Sequence, residues 1–393
     1  MSTQSSAQSS TLSTSSYFGL SSSKKSNSLK NEAINVPPFD HCGGQTDQGV
    51  EAYQAQDGWE IGVCWARNAR PYQEDCWFIT SSLPLRRTIP PSSSSSSSSS
   101  KAHPPGPPPR NFLPYTSWGV FDGHGGSSCS DYCHKEYPSV LRSSLPPSPS
   151  PSPQADSLSR SLRSSLVAIA VLFSTSLPPN TLSSPGSTAN IVLSSSPHLL
   201  CGNVGDSSSH YYPPNTSSPH GDKLSVDHDT WVRSDEHTRL LASGAFLHPS
   251  PPPFNLGSVF LVKALYAMAF GCPRVYKPDM VGGVVGGLNM TRSVGDVHLK
   301  PQVSHEPDVE VRGVGREVGG YVVTATDGVW DELGPGEVRR LIEEAEMSLG
   351  TKGDELPKCE GVARAASMIV REAIRRGGRD NATAIVAKRC IPK

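Results

Sequence analysis

Carboxylates recur in this chain where strand-like runs begin or stop. Glu74 and Asp75 stand in "YQEDCWF", Asp122 in "VFDGHGG", Asp327 and Asp331 in "VTATDGVWDEL", and Asp380 in "GGRDNATAIV". An acid at a strand terminus projects from a rigid element into a loop rim, and a neighbouring glycine lets backbone or solvent approach closely. One Asp-Gly is an ordinary tight turn, but four such places invite a shared site. If they converge, the site holds several carboxylates and no clustered His or Cys, a donor set that selects Mg²⁺ or Mn²⁺ over zinc or copper. So many acids repel one another unless cations neutralise them. Two metals bridged by water would yield a metal-bound hydroxide near neutral pH, suited to in-line attack on a phosphate ester.

Two further residues fit that chemistry. Arg70 stands four residues before Glu74, and its planar fork matches two phosphate oxygens. His124 follows the Asp-Gly directly, and an imidazole, whose unperturbed pKa lies near neutral, is a residue type able to protonate a leaving alkoxide. Taken singly, each reads equally well as a surface arginine or a turn histidine.

Short segments rich in branched and aromatic residues must position these groups. "GWEIGVCWA" (58–66), "WGVF" (118–121), "ANIVLS" (189–194), "HLLCGNV" (198–204), "VEVRGV" (309–314), "YVVTAT" (321–326) and "ATAIVAK" (382–388) read as β-strands bounded by Gly, Asp or Pro. Helical periodicity appears in "GEVRRLIEEAEMSLG" through Val338, Leu341, Ile342 and Ala345. It recurs in "CEGVARAASMIVREAIRRGG" through Val362, Ala366, Ile369, Val370 and Ala373, with Gly377 as the stop. A third helix is expected over Ser234 to Ala242. Many antiparallel strands with a few long helices predict a layered α+β domain.

The bulk of the chain narrows the alternatives. At 393 residues it exceeds the usual size of one core, and its low charge (18%) with 36 Pro and 35 Gly points to a padded domain. A net charge of -1 gives no global argument for nucleic acid or a membrane. The longest apolar candidate, "SVFLVKALYAMAFG", falls short of a span and contains Lys263. Nine cysteines without CxxC spacing read as reduced intracellular thiols. Cys129, Cys133 and His134 hint at zinc but lack a second ligand pair, so a helix face with buried thiols is preferred. Residues 1–56 are expected to be a disordered Ser-rich tail. Ser/Pro-rich inserts are expected near 81–114, 141–157, 207–222 and 247–258, within a domain spanning 57–393. A monomer in the cytoplasm or nucleus is expected; the Ser-rich start, with no acid before Glu32, is compatible with an organellar transit peptide but lacks its usual arginines.

In order along the chain, "RPYQED", "WGVFDGHGG", "GSTANIVL", "LLCGNVGDS", "LSVDHDTWVRSDEHTRLLASGA", "GGLNMTRSVGDVHLK", "VVTATDGVWDEL" and "GGRDNATAIV" resemble the metal-dependent protein serine/threonine phosphatases of type 2C. The resemblance implies a four-layer αββα sandwich and a dinuclear Mn²⁺/Mg²⁺ centre acting on phosphoserine and phosphothreonine of phosphoproteins, by direct attack of a metal-bridging hydroxide. It implies metal-binding roles for Asp75, Asp122, Asp327 and Asp380, a water-mediated one for Glu74, and one for the Gly123 carbonyl. Arg70 matches the phosphate-binding arginine and His124 the general acid. Asp206 and Asp331 match a more weakly held third metal, and Asp296 a structural position closing a segment over the sheet edge.

The sequence also departs from that pattern. After "GDS" comes "SSHYYPPNTSSPH" instead of an arginine and an apolar strand, so a shortened hairpin is expected. Between Tyr137 and Gly186 only "SLSRSLRSSLVAIAVLF" offers a helix, Thr230 replaces a usual proline, and 248–270 reads as an insertion in the flap. These departures leave room for a second reading, a catalytically silent phosphatase-like module that recruits partners through its proline-rich segments. A different Mg²⁺-dependent phosphoryl-transfer enzyme ranks last, since neither a P-loop nor a kinase "HRD" is present.

Overall fold

The computed structural model describes residues 39–43, 47–82, 85–87, 115–146, 155–178, 181, 184–214, 218–230, 234–249, 272–278, 284–314, 318–348 and 359–390. Two large antiparallel sheets form the centre of the described residues. In the first, β1 (Phe39–Gly43), β4 (Cys76–Ser81), β6 (Thr116–Phe121), β9 (Ala189–Ser195), β10 (His198–Val204) and β17 (Asp308–Gly313) lie side by side in that order. The second runs β12 (Asp222–Lys223), β11 (Ser208–Tyr212), β18 (Tyr321–Ala325), β19 (Ala382–Arg389), β3 (Trp59–Ala66), β2 (Gln48–Ala55) and β5 (Leu85–Arg87). Every strand predicted from the sequence is present.

Alternation along the strands builds the layers. On β3, Trp59, Ile61, Val63 and Trp65 point into a core shared with Trp77, Ile79, Trp118, Val120 and Val192 of the first sheet. The indoles interlock there, with Trp59 and Trp118 centred 5.0 Å apart and Trp65 and Trp77 5.5 Å apart. Two of the buried indole N–H groups find acceptors across the layers, Trp59 Nε1 donating to Ser194 Oγ at 2.9 Å and Trp118 Nε1 to Thr324 Oγ1 at 3.2 Å, whereas Trp77 Nε1 is buried without one. The other face of β3 packs beneath two helices, Pro335–Met347 (α5) and Glu360–Arg375 (α6). Gly62 admits α6 to close contact, since a Cβ there would lie 2.5 Å from the Val362 carbonyl oxygen. Past α6, Gly377 takes φ 108° and turns the chain, as its position predicts.

The outer face of the first sheet is covered by α1 (Ser128–Ser144) and α2 (Ala155–Ser176). Four layers result, α-β-β-α. Cys129 and Cys133 are both buried on α1, as expected. The helix candidate between Tyr137 and Gly186 forms over 22 residues, because Leu158, Leu162, Leu166, Ile169, Ala170 and Phe173 make one buried stripe. Gly202 of β10 lets that stripe close down, as a Cβ there would sit 2.6 Å from Leu166 Cδ1. Among the described residues, no helix is long and apolar enough to cross a membrane.

Some expected boundaries are corrected. The segment 1–56, read as tail, contains β1 and β2; Ala52 and Tyr53 of β2 are buried, and the strand pairs along β3. The segment 207–222, read as an insert, contains β11, which pairs with β18. Its serines misled the composition argument because they are bonded within the core: Ser209 Oγ donates to Asn190 Oδ1 at 2.5 Å and Ser208 Oγ to Asp227 Oδ1 at 2.5 Å. The insert at 141–157 is bounded by α1 and α2, which occupy 141–144 and 155–157. Most of the expected inserts at 81–114 and 247–258, the flap segment 250–271 and the tail before 39 lie outside the described residues.

Candidate active site

Register brings the strand-end acids to one edge of the sandwich. In the first sheet Cys76 pairs with Phe121, which sets Asp75 and Asp122 side by side, and Ala189 pairs with Val204, which brings Asp206 to the same edge. In the second sheet Ala325 pairs with Ala384 and Ala66 with Ala382, so Asp327, Asp380 and the turn bearing Arg70 meet there. The sheets are joined at this edge through Asp75. Its Oδ2 accepts hydroxyl hydrogen bonds from Thr326 at 3.0 Å and Thr383 at 2.8 Å, both from the opposite sheet.

The "DGHGG" turn is fixed from both sides. Asp122 donates its N–H to Thr188 Oγ1 at 3.0 Å, while its carbonyl accepts from Thr188 N at 2.9 Å. Gly123 N donates to the Glu74 carbonyl, and a Cβ on Gly123 would lie 2.5 Å from Ser130 Oγ and 2.6 Å from that carbonyl oxygen. Gly125 and Gly126 then take φ of 68° and 112°, which reverses the chain into α1. Glu74 reaches back to the turn through Oε1, which accepts from Gly126 N at 2.8 Å. Asn381, not singled out in the sequence, receives Glu74 N at 2.8 Å and donates to the Arg67 and Tyr72 carbonyls, tying the Arg70 turn to β19.

The electrostatics are those of a crowded acid cleft. Asp75 is fully buried, whereas Asp122, Asp206 and Asp327 sit on the cleft floor with part of their surface open. Burial, then the charges of Asp327 and Asp380, push Asp75 up to about 7. Burial and the facing carboxylates raise Asp122 and Asp206 well above the usual range and raise Asp327 as well. Asp75 Oδ1, Asp206 Oδ1 and Asp327 Oδ1 are buried without a hydrogen-bond partner. Buried anionic oxygens without donors are strongly disfavoured, so this donor set fits hard divalent cations.

Arg70, half exposed, forms an ion pair with Asp380 at the rim. Asp331 is exposed and its charge acts on Asp206, as do those of Asp227 and Asp229, two acids the sequence reading passed over. Asp296, expected to be structural, also reaches the site. Rather than only closing a sheet edge, its Oδ2 lies 2.7 Å from His124 Nε2 and accepts from Ser293 Oγ at 2.6 Å. Burial alone would raise the Asp296 carboxyl, yet the bond and charge of His124 with the Ser293 bond hold it below its ordinary value. The site therefore presents an acid cleft, a guanidinium at its rim, and an imidazole oriented by a buried carboxylate.

The comparisons with known proteins agree with this architecture. Protein phosphatase 2C 7 of Arabidopsis thaliana is 27% identical over 307 residues, covering 70% of this chain and 53% of its own length. Protein phosphatase 2C 53 of Oryza sativa subsp. japonica is 26% identical over 297 residues, covering 70% and 59%. The chain thus spans between half and three fifths of these relatives. Among solved structures, the serine-threonine phosphatase 2C from Toxoplasma gondii superposes with a TM-score of 0.60 at 16% identity, over 87% of this chain and 98% of that one. A C. elegans sex determining protein gives 0.56 at 20% identity, over 84% and 65%. These two establish the shared fold. The protein phosphatase 2C family model matches residues 114–382, and the chain belongs to that family.

Proposed function

We propose that this chain is a metal-dependent protein serine/threonine phosphatase that hydrolyses phosphoserine and phosphothreonine by direct water attack. The observation that carries the reading is the set of partnerless Oδ1 atoms on Asp75, Asp206 and Asp327 at one sandwich edge. Asp75, Asp122, Asp327 and Asp380, with the Gly123 carbonyl and Glu74 through water, would hold two Mg²⁺ or Mn²⁺ ions; Asp206 and Asp331 would serve a third. Bound there, such cations supply charge neutralisation and a nucleophilic water at neutral pH.

The chain's own residues do the rest. Arg70 exchanges its ion pair with Asp380 for two phosphate oxygens and so orients the ester at the rim. His124, with Nε2 held by Asp296, would supply a proton from its other ring nitrogen to the departing serine or threonine oxygen. The silent-module reading drew on departures in the helix after Tyr137 and the hairpin after "GDS"; the formation of α2 and β11 supports the enzyme reading instead.

Release of phosphate from a phosphothreonine peptide tests the proposal. Activity should require added Mn²⁺ or Mg²⁺, vanish with EDTA, and vanish in Asp327→Asn. Turnover that survives EDTA or that substitution would refute it.

A further inference from the structure

One cluster of donor atoms outside the acid cleft has the composition of a different metal site. Cys76 opens β4, and Asp131 and His134 lie one helical turn apart on α1. Their Sγ, carboxylate and ring-nitrogen atoms all fall within 4.8 Å of one another. Cys76 Sγ is 3.6 Å from Asp131 Oδ1, and His134 Nδ1 is 3.8 Å from the same oxygen. For a tetrahedral Zn²⁺ with ordinary sulfur, nitrogen and oxygen bond lengths, the donor–donor edges are roughly 3.3–3.5 Å. Small side-chain rotations close that difference.

We infer that Cys76, Asp131 and His134 form a binding site for a thiophilic divalent cation of the Zn²⁺ class, separate from the acid cleft. The donor types decide the metal: thiolate and imidazole favour zinc, whereas Mg²⁺ and Mn²⁺ prefer oxygen. Cys76 and His134 are buried, while the Asp131 side chain keeps 29% of its surface, which leaves a route for the ion and for a water as fourth ligand. Ser127 Oγ donates to Asp131 Oδ2 at 3.0 Å, so the other carboxylate oxygen is turned toward the thiol and the imidazole. On binding, the Cys76 thiol proton leaves to solvent and no redox change occurs. The ion would fasten the first residue of β4 to α1 beside Asp75. The inference does not depend on the phosphatase reading, because it concerns binding alone.

Cobalt substitution gives the test. The full-length protein is stripped with chelator, supplied with excess Mg²⁺ to fill the acid cleft, and titrated with Co²⁺. A thiolate-to-cobalt charge-transfer band should rise to one equivalent and be bleached by Zn²⁺. Cys76→Ser should abolish the band, and His134→Asn should weaken binding by at least about 100-fold, beyond the usual effect of losing an outer-shell partner. Asp122→Asn and Cys133→Ser should keep it. No band in the folded wild type, a band surviving Cys76→Ser, or a band lost in Cys133→Ser would each overturn the assignment. Should Cys76→Ser fail to fold by circular dichroism, His134→Asn decides.

Discussion

Gly186→Ala separates the proton-donor role of His124 from the metal chemistry without touching any proposed ligand. Gly186 pairs with His124 across a short β-bridge and has no positive φ, so alanine meets no backbone strain. The added Cβ would lie 2.6 Å from Asp296 Cγ and closer still to Asp296 Oδ2 and His124 Nε2. Those last two atoms make the 2.7 Å hydrogen bond that orients the ring. Carbon contacts below 3.0 Å are not sustained, so the methyl must push the pair apart and break their bond. A hydrogen bond to a charged group contributes about 1.5–3 kcal/mol, which corresponds to roughly ten- to 150-fold in rate. The assay compares kcat on a phosphothreonine peptide with kcat on an aryl phosphate whose phenolate departs without a proton. The peptide rate should fall by that factor, and the aryl rate should fall far less. An equal loss on both substrates, or no loss on the peptide with a folded protein, would refute the role of the His124–Asp296 pair.

Glu236→Gln should destabilise the fold by about 3 kcal/mol in urea melts, because it leaves Arg292 and Arg239 facing a neutral group in a buried network. Although burial opposes ionisation, the Arg292, Arg239 and Thr291 bonds hold Glu236 at about 2. Its contribution is therefore present above the ordinary carboxylate range and lost as pH falls toward 2, so the variant should show a flatter acid limb over that window. Asp75→Asn should abolish metal-dependent turnover yet stabilise the metal-free protein at pH 8 by on the order of 1 kcal/mol, read as a higher melting point. A carboxyl raised to about 7 costs the metal-free fold stability as pH climbs from about 4 through 7, and the amide removes that cost. Gly62→Ala should destabilise by about 2 kcal/mol as the methyl meets the α6 backbone, with kcat of the folded fraction unchanged; a silent substitution would mean that α6 is not seated on β3.

Strands and helices were legible because the apolar, branched-residue runs of β3, β9 and β19 and the stripe on α6 are local properties, readable residue by residue. Strand β11 was not, since its polarity becomes compatible with burial only when Asn190, Thr324 and Asp227 arrive from other elements. The acids at the strand ends were visible for the same local reason, as Asp beside Gly at the close of an apolar run. Their company was not. Thr326 and Thr383 bonded to Asp75, Asn381 behind Glu74, and Asp296 on His124 join residues 172 to 308 positions apart.

By itself, then, the sequence determined which residue types stand at the ends of which elements, and so pointed to the hard-cation, phosphate-directed chemistry proposed above. Only the tertiary structure decided which of those ends share an edge, which carboxylate oxygens lack donors, and that Cys76 stands beside Asp131 and His134 instead of the two cysteines flanking them in sequence. The physical reason is range: side-chain period is set within a few residues, whereas strand register and helix docking are set by burying apolar faces from distant parts of the chain. Charge coupling and metal geometry follow from that docking, over distances of a few ångströms that no local pattern encodes.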